Sequence, residues 1–169
     1  FLNKLGKHAT AVFSGDIPPA ITFLNPDKTF EQTADSLRDF IIALDKEKAD
    51  HLRYKVVDDA VKIFITPYRT TITDKDLEFS QGDYNVELVL ALNVENSESI
   101  DTALTAHGKI LHDATVVAIT AGDVKSGLGS VDWHESNASG VSEMVVELLD
   151  DLKTPKVTLD EQMATALLT

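Results

Sequence analysis

Groups able to do chemistry are thinly spread in this sequence. It contains no Cys, so a disulfide framework, a thiolate zinc site, an Fe–S cluster and a cysteine nucleophile all fall away, and any metal would need His and carboxylates. Of the five histidines, His107 and His112 stand five apart. That spacing is about 500° of turn on a continuous helix and puts them on different faces, and Gly108 reads as a break between them. His134, between Trp133 and Glu135 in what reads as a loop entering a helix, is the better-placed imidazole, with a plain surface histidine as the alternative. Ser139-Gly140-Val141-Ser142-Glu143 opens the strongest helix with small polar residues, where backbone N–H groups and hydroxyls could take an anion. Ordinary N-capping accounts for the same residues. No Gly-rich phosphate loop is present, and Gly127-Leu128-Gly129 reads as a turn.

Arg53, Lys55, Lys62 and Arg69 are interleaved with Tyr54, Phe64 and Tyr68. This is a pattern that suits single-stranded nucleic acid and equally a solvated hairpin with its cations outward. Over 169 residues the formal charge is −13, from 15 Lys and Arg against 28 Asp and Glu. Residues 1–37 hold three basic and four acidic residues, 38–75 eight and seven, and 76–169 four and 17. A surface so acidic repels phosphates, which argues against a module that grips duplex DNA by charge. No apolar run approaches the roughly 20 residues that span a bilayer, and no signal peptide opens the chain. The expectation is a cytoplasmic protein with no membrane partner.

These residues need elements to hold them. Phe1 to Lys7 reads as the end of a helix stopped by Gly6, and Thr158 to Glu161 as a capping box that starts a helix running into Thr169. Both ends look cut, so a fragment is expected. Ala9–Ser14 suits a short strand, Pro18 to Leu24 a turn and short helix, and Leu37–Leu44 an apolar run. Leu52–Val57 and Ala60–Thr66 around Asp58-Asp59 form a hairpin signal, and Asp74–Ser80 reads as a linker with a short strand at Leu77–Phe79. Val86–Asn93 and Ala114–Thr120 are buried-strand runs of the length used in parallel sheets. Between them Ser97–His107 reads as one helix, with Ile100, Ala103, Leu104 and His107 on a face. Val141, Met144, Val145, Leu148, Leu149 and Leu152 make an amphipathic helix ended by Thr154-Pro155. Strands alternating with helices predict an α/β fold, a mainly parallel sheet with flanking helices. Ligands in such sheets bind beyond the carboxyl ends of the strands, here Ser14-Gly15-Asp16, Asn93-Val94-Glu95 and Thr120-Ala121-Gly122-Asp123. Asp16 and Asp123 are the acids offered, with Asp123 the metal candidate, against Asn, Thr, Ala and Gly elsewhere.

Gly129-Ser130-Val131-Asp132-Trp133-His134-Glu135-Ser136-Asn137-Ala138-Ser139-Gly140-Val141-Ser142-Glu143 resembles the segment after the signature motif of the DHH phosphoesterases. That family includes the RecJ-like exonucleases, nanoRNases and cyclic-dinucleotide phosphodiesterases. Gly129, Asp132, Trp133, Glu135, Ala138, Ser139, Ser142 and Glu143 fit its pattern, while His134, Ser136 and Gly140 depart. Val86–Asn93 looks like the family strand that ends in the second-motif Asp, and Asp113–Gly122 like the strand leading into Ile-Asp-His-His. Gly82-Asp83-Tyr84 and the hairpin resemble an insertion of one bacterial subgroup, placed here at about 45–80. The resemblance implies a DHH-type domain over 1–169, truncated at both ends, with its first-motif aspartates before Phe1 and its fourth motif after Thr169. It also implies Mn²⁺ or Mg²⁺ activating water against a phosphodiester of a short oligonucleotide or small nucleotide, with a homodimer allowed. At the signature slots, however, stand Asn93, Thr120, Ala121 and Gly122. Asp45 is an alternative for the second-motif acid, but Asn93 is followed by a helix and a strand in the family's order. The implied reading is a degenerate copy that keeps at most nucleotide or phosphate binding near Ser139, Ser142 and His134. The alternatives are an active enzyme whose metal site is rebuilt with Asp123 or His134, and a structural or partner-binding domain.

Overall fold

The computed structural model describes residues 2–152 and 159–168, and it divides into two compact units: residues up to 37 with those from 86 onward, and residues 38–85. In the first unit a short 3₁₀ turn, Leu2–Leu5, ends at Gly6, whose φ of +76° is the left-handed stop that glycine allows. Strand β1 (Ala11–Val12) then pairs in parallel with β2 (Phe30–Glu31). The expected Ala9–Ser14 strand is thus shorter than its apolar run, because its partner offers only two residues. Between β1 and β2 lies the expected short helix, a 3₁₀ segment over Pro19–Leu24.

The second unit is antiparallel. Strands β3 (Arg38–Leu44), β4 (Ala49–Val57), β5 (Ala60–Pro67) and β6 (Leu77–Tyr84) make two separate ribbons, β3 with β6 and β4 with β5. The expected insertion at about 45–80 lies inside this unit. The β4–β5 hairpin runs as its sequence predicts, with the positive φ of its turn at Asp58. The short strand expected at Leu77–Phe79 within the 74–80 linker is present but runs on to Tyr84, because Leu77–Tyr84 finds a full-length partner in Arg38–Leu44. Lys48 and Asp76 form an ion pair at 2.5 Å. The hydrogen bond from Lys48, then those from the Thr73 N–H and hydroxyl, pull the Asp76 carboxyl down to about 2.

The first unit resumes with β7 (Leu88–Leu92), α1 (Thr102–Thr105), α2 (Lys109–Asp113), β8 (Thr115–Ala121), β9 (Val131–Glu135), α3 (Val141–Leu152) and α4 (Glu161–Leu168). β7, β8 and β9 form one all-parallel sheet in that order. With α3 packed on it, this makes the unit α/β as expected. The face of β8 carrying Val117, Ile119 and Ala121, with Trp133 of β9, packs against Ala138, Val141 and the 1% exposed Met144 of α3. Ile110 of α2 is also buried.

Two local expectations fail here. Ser97–His107 is not one helix: Ile100 turns extended (φ −69°, ψ 140°), and Asp101 starts α1 afresh by accepting the Ala103 N–H at 2.9 Å. Gly108 does not stop a helix but precedes α2 in right-handed conformation. At the far end, Asp160 caps α4 by accepting the Met163 N–H at 2.7 Å and pairs with Lys4. Thr154-Pro155 and Thr158 lie outside the described residues. No helix among the described residues is long and apolar enough to cross a membrane.

Candidate functional site

The carboxyl ends of β7 and β8 bring side by side the residues that the resemblance would put at its signature slots. Asn93 leaves β7 with φ +54°, a conformation that Asn tolerates better than most residues. Its N–H donates to the Ile119 carbonyl at 2.8 Å, and its side-chain oxygen accepts the Ala121 N–H at 3.4 Å. Gly122 leaves β8 with φ +65°, donating its N–H to the Glu135 carbonyl of β9 at 3.0 Å. Asp123 is exposed in the turn that follows.

Thr120, only 2% exposed, is the register partner of His134 across β8 and β9, and its Oγ1 lies 3.1 Å from Nδ1 of the ring. If the hydroxyl donates, Nε2 carries the ring hydrogen. If it accepts from Nδ1, Nε2 is a free acceptor. Nε2 is buried and has no hydrogen-bond partner among the described residues. His134 is therefore on a strand and not in the loop expected from its sequence. Val131 and Trp133 alternate with Asp132 and His134, which is the period of a strand, and β8 supplies the ladder.

Ser139 lies just before α3, and its anion-binding groups are in use. Its N–H and hydroxyl both donate to one carboxylate oxygen of Glu143, at 2.8 and 2.9 Å. The backbone bond and then the hydroxyl bond hold the Glu143 carboxyl below its ordinary value, against the opposing effect of burial. The chain's own carboxylate thus takes up the two donors that the sequence offers to an anion. Ser142, exposed in the first turn of α3, keeps its hydroxyl free of partners among the described residues.

Elsewhere the expected groups do not converge. His107 is half-buried in the turn between α1 and α2, and His112 is exposed with Nδ1 2.8 Å from the neighbouring Asp113 carboxylate. The β4–β5 register pairs Lys55 with Lys62 and Arg53 with Phe64 on one face, and turns Tyr54 with Ile63 to the other. Arg53 covers the Phe64 ring at 5.0 Å, and Arg69 lies 5.0 Å from that of Tyr68. The aromatic and basic residues of the middle third are therefore not one interleaved surface.

Asp101 is a residue that the sequence reading passed over. Its carboxylate accepts the Ser14 N–H and hydroxyl, both at 2.7 Å, besides capping α1. Burial pushes this carboxyl up, but the Ser14 and Ala103 hydrogen bonds outweigh it and hold it below its ordinary value. The helical spacing over residues 97–107 masked it, because Asp101 falls inside that run and its cap role follows only from the break at Ile100.

Among the described residues, no three His, Asp or Glu side chains come together to hold a metal ion. The signature slots supply an amide oxygen engaged with a backbone N–H, a buried hydroxyl engaged with an imidazole, a methyl group and a glycine. A pair of divalent ions asks for several anionic or nitrogen ligands each, and this donor set does not fit one.

What fold and site define together is a mixed α/β unit with a parallel three-stranded sheet and a cluster of hydrogen-bonded polar groups at its carboxyl end. Comparison with protein-family models, with curated proteins and with solved structures finds no match to this chain.

Proposed function

We propose that the α/β unit is a DHH-phosphoesterase-like domain that binds small nucleotides or short oligonucleotides and does not hydrolyse them with a metal pair. The observation that carries this reading is the neutral donor set at the slots. Asn93, Thr120, Ala121 and Gly122 stand where the resemblance expects acids and imidazoles free to bind Mn²⁺ or Mg²⁺, and the Asn93 amide and the Thr120 hydroxyl are each already committed to a hydrogen bond within the sheet. Amides and hydroxyls can hydrogen-bond a nucleotide but cannot neutralise two divalent cations. The Ser139 N–H and hydroxyl already hold a carboxylate, so the start of α3 is suited to an oxyanion, with Ser142 beside it. A phosphate entering there displaces Glu143.

The test is calorimetric titration with a mononucleotide and a pentaribonucleotide, with and without Mn²⁺, beside a cleavage assay on the labelled pentamer. Saturable nucleotide binding without turnover is expected. Turnover dependent on Mn²⁺ overturns the reading in favour of a rebuilt metal site, and absence of any nucleotide binding overturns it in favour of a partner-binding domain. One observation supports that second reading as well, the uncovered apolar faces of residues 38–85.

A further inference from the structure

Strand alternation and register sort the β4–β5 hairpin into two unlike faces. Arg53, Lys55 and Lys62 lie on one, while Leu52 with Ile65, Tyr54 with Ile63 and Val56 with Val61 form an uninterrupted apolar row on the other. On the β3–β6 ribbon of the same unit, Phe40 stacks on Phe79, ring centroids 6.0 Å apart, beside Ile42 and Leu44. These apolar faces border one cleft of about 400 Å³, lined by Ile42 and Leu44 from β3 and by residues of β4 and β5, with no charged group in its lining.

The row is uncovered. Leu52, Tyr54, Val61, Ile63, Phe40 and Phe79 are each half or more exposed, Tyr54 as much as 73%. At roughly 150–250 Å² for a large side chain, the six leave on the order of 700 Å². The largest apolar patch of a typical monomer is about 300–600 Å², and each partner of a standard interface contributes about 800 Å². A two-stranded ribbon is also marginal in water unless its apolar face packs on something, and here both ribbons are two-stranded.

We infer that this face packs on the same face of a second copy of the chain, making a two-fold dimer through residues 38–85. Charge selects the partner. Residues 38–85 carry eight basic and ten acidic residues, whereas the rest of the chain carries seven and 18. Two copies repel over most of their surface and meet without penalty only through this nearly neutral unit, whose apolar rows bear no charge. The same lack of cations on that face excludes a nucleic acid as its occupant. An apolar β face can meet its own copy about a two-fold axis, and two such faces stack about 10 Å apart with side chains interdigitated. The inference does not rest on nucleotide binding.

Sedimentation velocity of the full chain between 1 and 200 µM tests it, with Tyr54→Lys and Val61→Lys as interface variants and Lys55→Glu, on the opposite face, as the control. Wild type and Lys55→Glu are expected at twice the 18.4 kDa chain mass, and the interface variants at the monomer mass with an unchanged circular dichroism spectrum. A wild type that stays monomeric at every concentration overturns the proposal. So does a dimer that survives both lysine substitutions. If the lysine variants unfold, Tyr54→Ser with Leu52→Ser is used instead, and persistence of its dimer counts equally against the inference.

Discussion

Thr120 and His134 stand directly opposite each other on adjacent parallel strands, hydroxyl to imidazole at 3.1 Å, with the second ring nitrogen buried and unpartnered among the described residues. Removing one member of such a pair costs more than removing both, because a lone buried polar atom loses its water without gaining a partner. Thr120→Val is expected to lower unfolding free energy by about 1–3 kcal/mol. The double variant Thr120→Val with His134→Leu should lose less than the sum of the two singles. A urea double-mutant cycle measures the coupling, and additivity would show that the pair is not energetically joined.

Glu143 sits on the Ser139 N–H and hydroxyl as an internal competitor for any incoming anion. Glu143→Gln removes the charge and keeps the size. It is expected to raise affinity for inorganic phosphate and for a mononucleotide, read by calorimetry, while Ser139→Ala in the same background returns it. Unchanged affinity in Glu143→Gln would mean that phosphate does not enter there.

Gly129 and Gly127 separate by packing. A Cβ on Gly129 would come within 2.5 Å of the Val131 carbonyl and 2.8 Å of the Val116 carbonyl, both backbone atoms, whereas one on Gly127 meets nothing within 4 Å. Gly129→Ala is expected to destabilise by about 1–3 kcal/mol as the connection is forced away from β8. Gly127→Ala is expected to leave the urea midpoint within error, and equal effects of the two would contradict the close approach.

Acid should find Asp101. Its folded pKa lies below the ordinary carboxylate value of about 3.9, so the stability it contributes is complete above that unfolded value and is lost as pH falls through the lower folded one. Urea midpoints measured from pH 6 to pH 2.5 should fall more steeply for wild type than for Asp101→Asn. Parallel curves would show that the Ser14 contact contributes nothing to the acid limb.

What could be read ahead of the fold was what depends on near neighbours. β7, β8 and α3 announce themselves through long apolar runs and helical spacing, and the hairpin through two β-rich runs about one turn. But β7 is not the buried strand its run predicts: it lies at the sheet edge with Leu88, Leu90 and Leu92 exposed, because among the described residues only β8 flanks it. β9 was hidden because Asp132 and His134 alternate with its apolar residues and its pairing depends on β8. The break at Ile100 was hidden for a related reason: the apolar spacing there is helical, but Asp101 answers to Ser14, 87 residues away. The same holds at the site. That Asn93, Thr120, Ala121 and Gly122 lie at strand ends could be read from the sequence, yet the bond from Thr120 to His134 follows from inter-strand register, and the occupation of Ser139 from a side chain one helical turn on.

The pairing of Ser14 with Asp101 also sets an order of assembly. Residues 38–85 interrupt the α/β unit, so the first 37 residues leave the ribosome well before the carboxylate that holds them exists. The β4–β5 hairpin needs only its own neighbours and can close on the microsecond scale, whereas the Ser14 contact waits for a ring of 87 residues to close. Loop entropy grows only logarithmically, about 0.6 kcal/mol for each doubling of length, so the interruption weighs little on final stability. Its weight falls on timing: the Ser14 contact cannot form until Asp101 has been made, long after the β4–β5 hairpin between them can close.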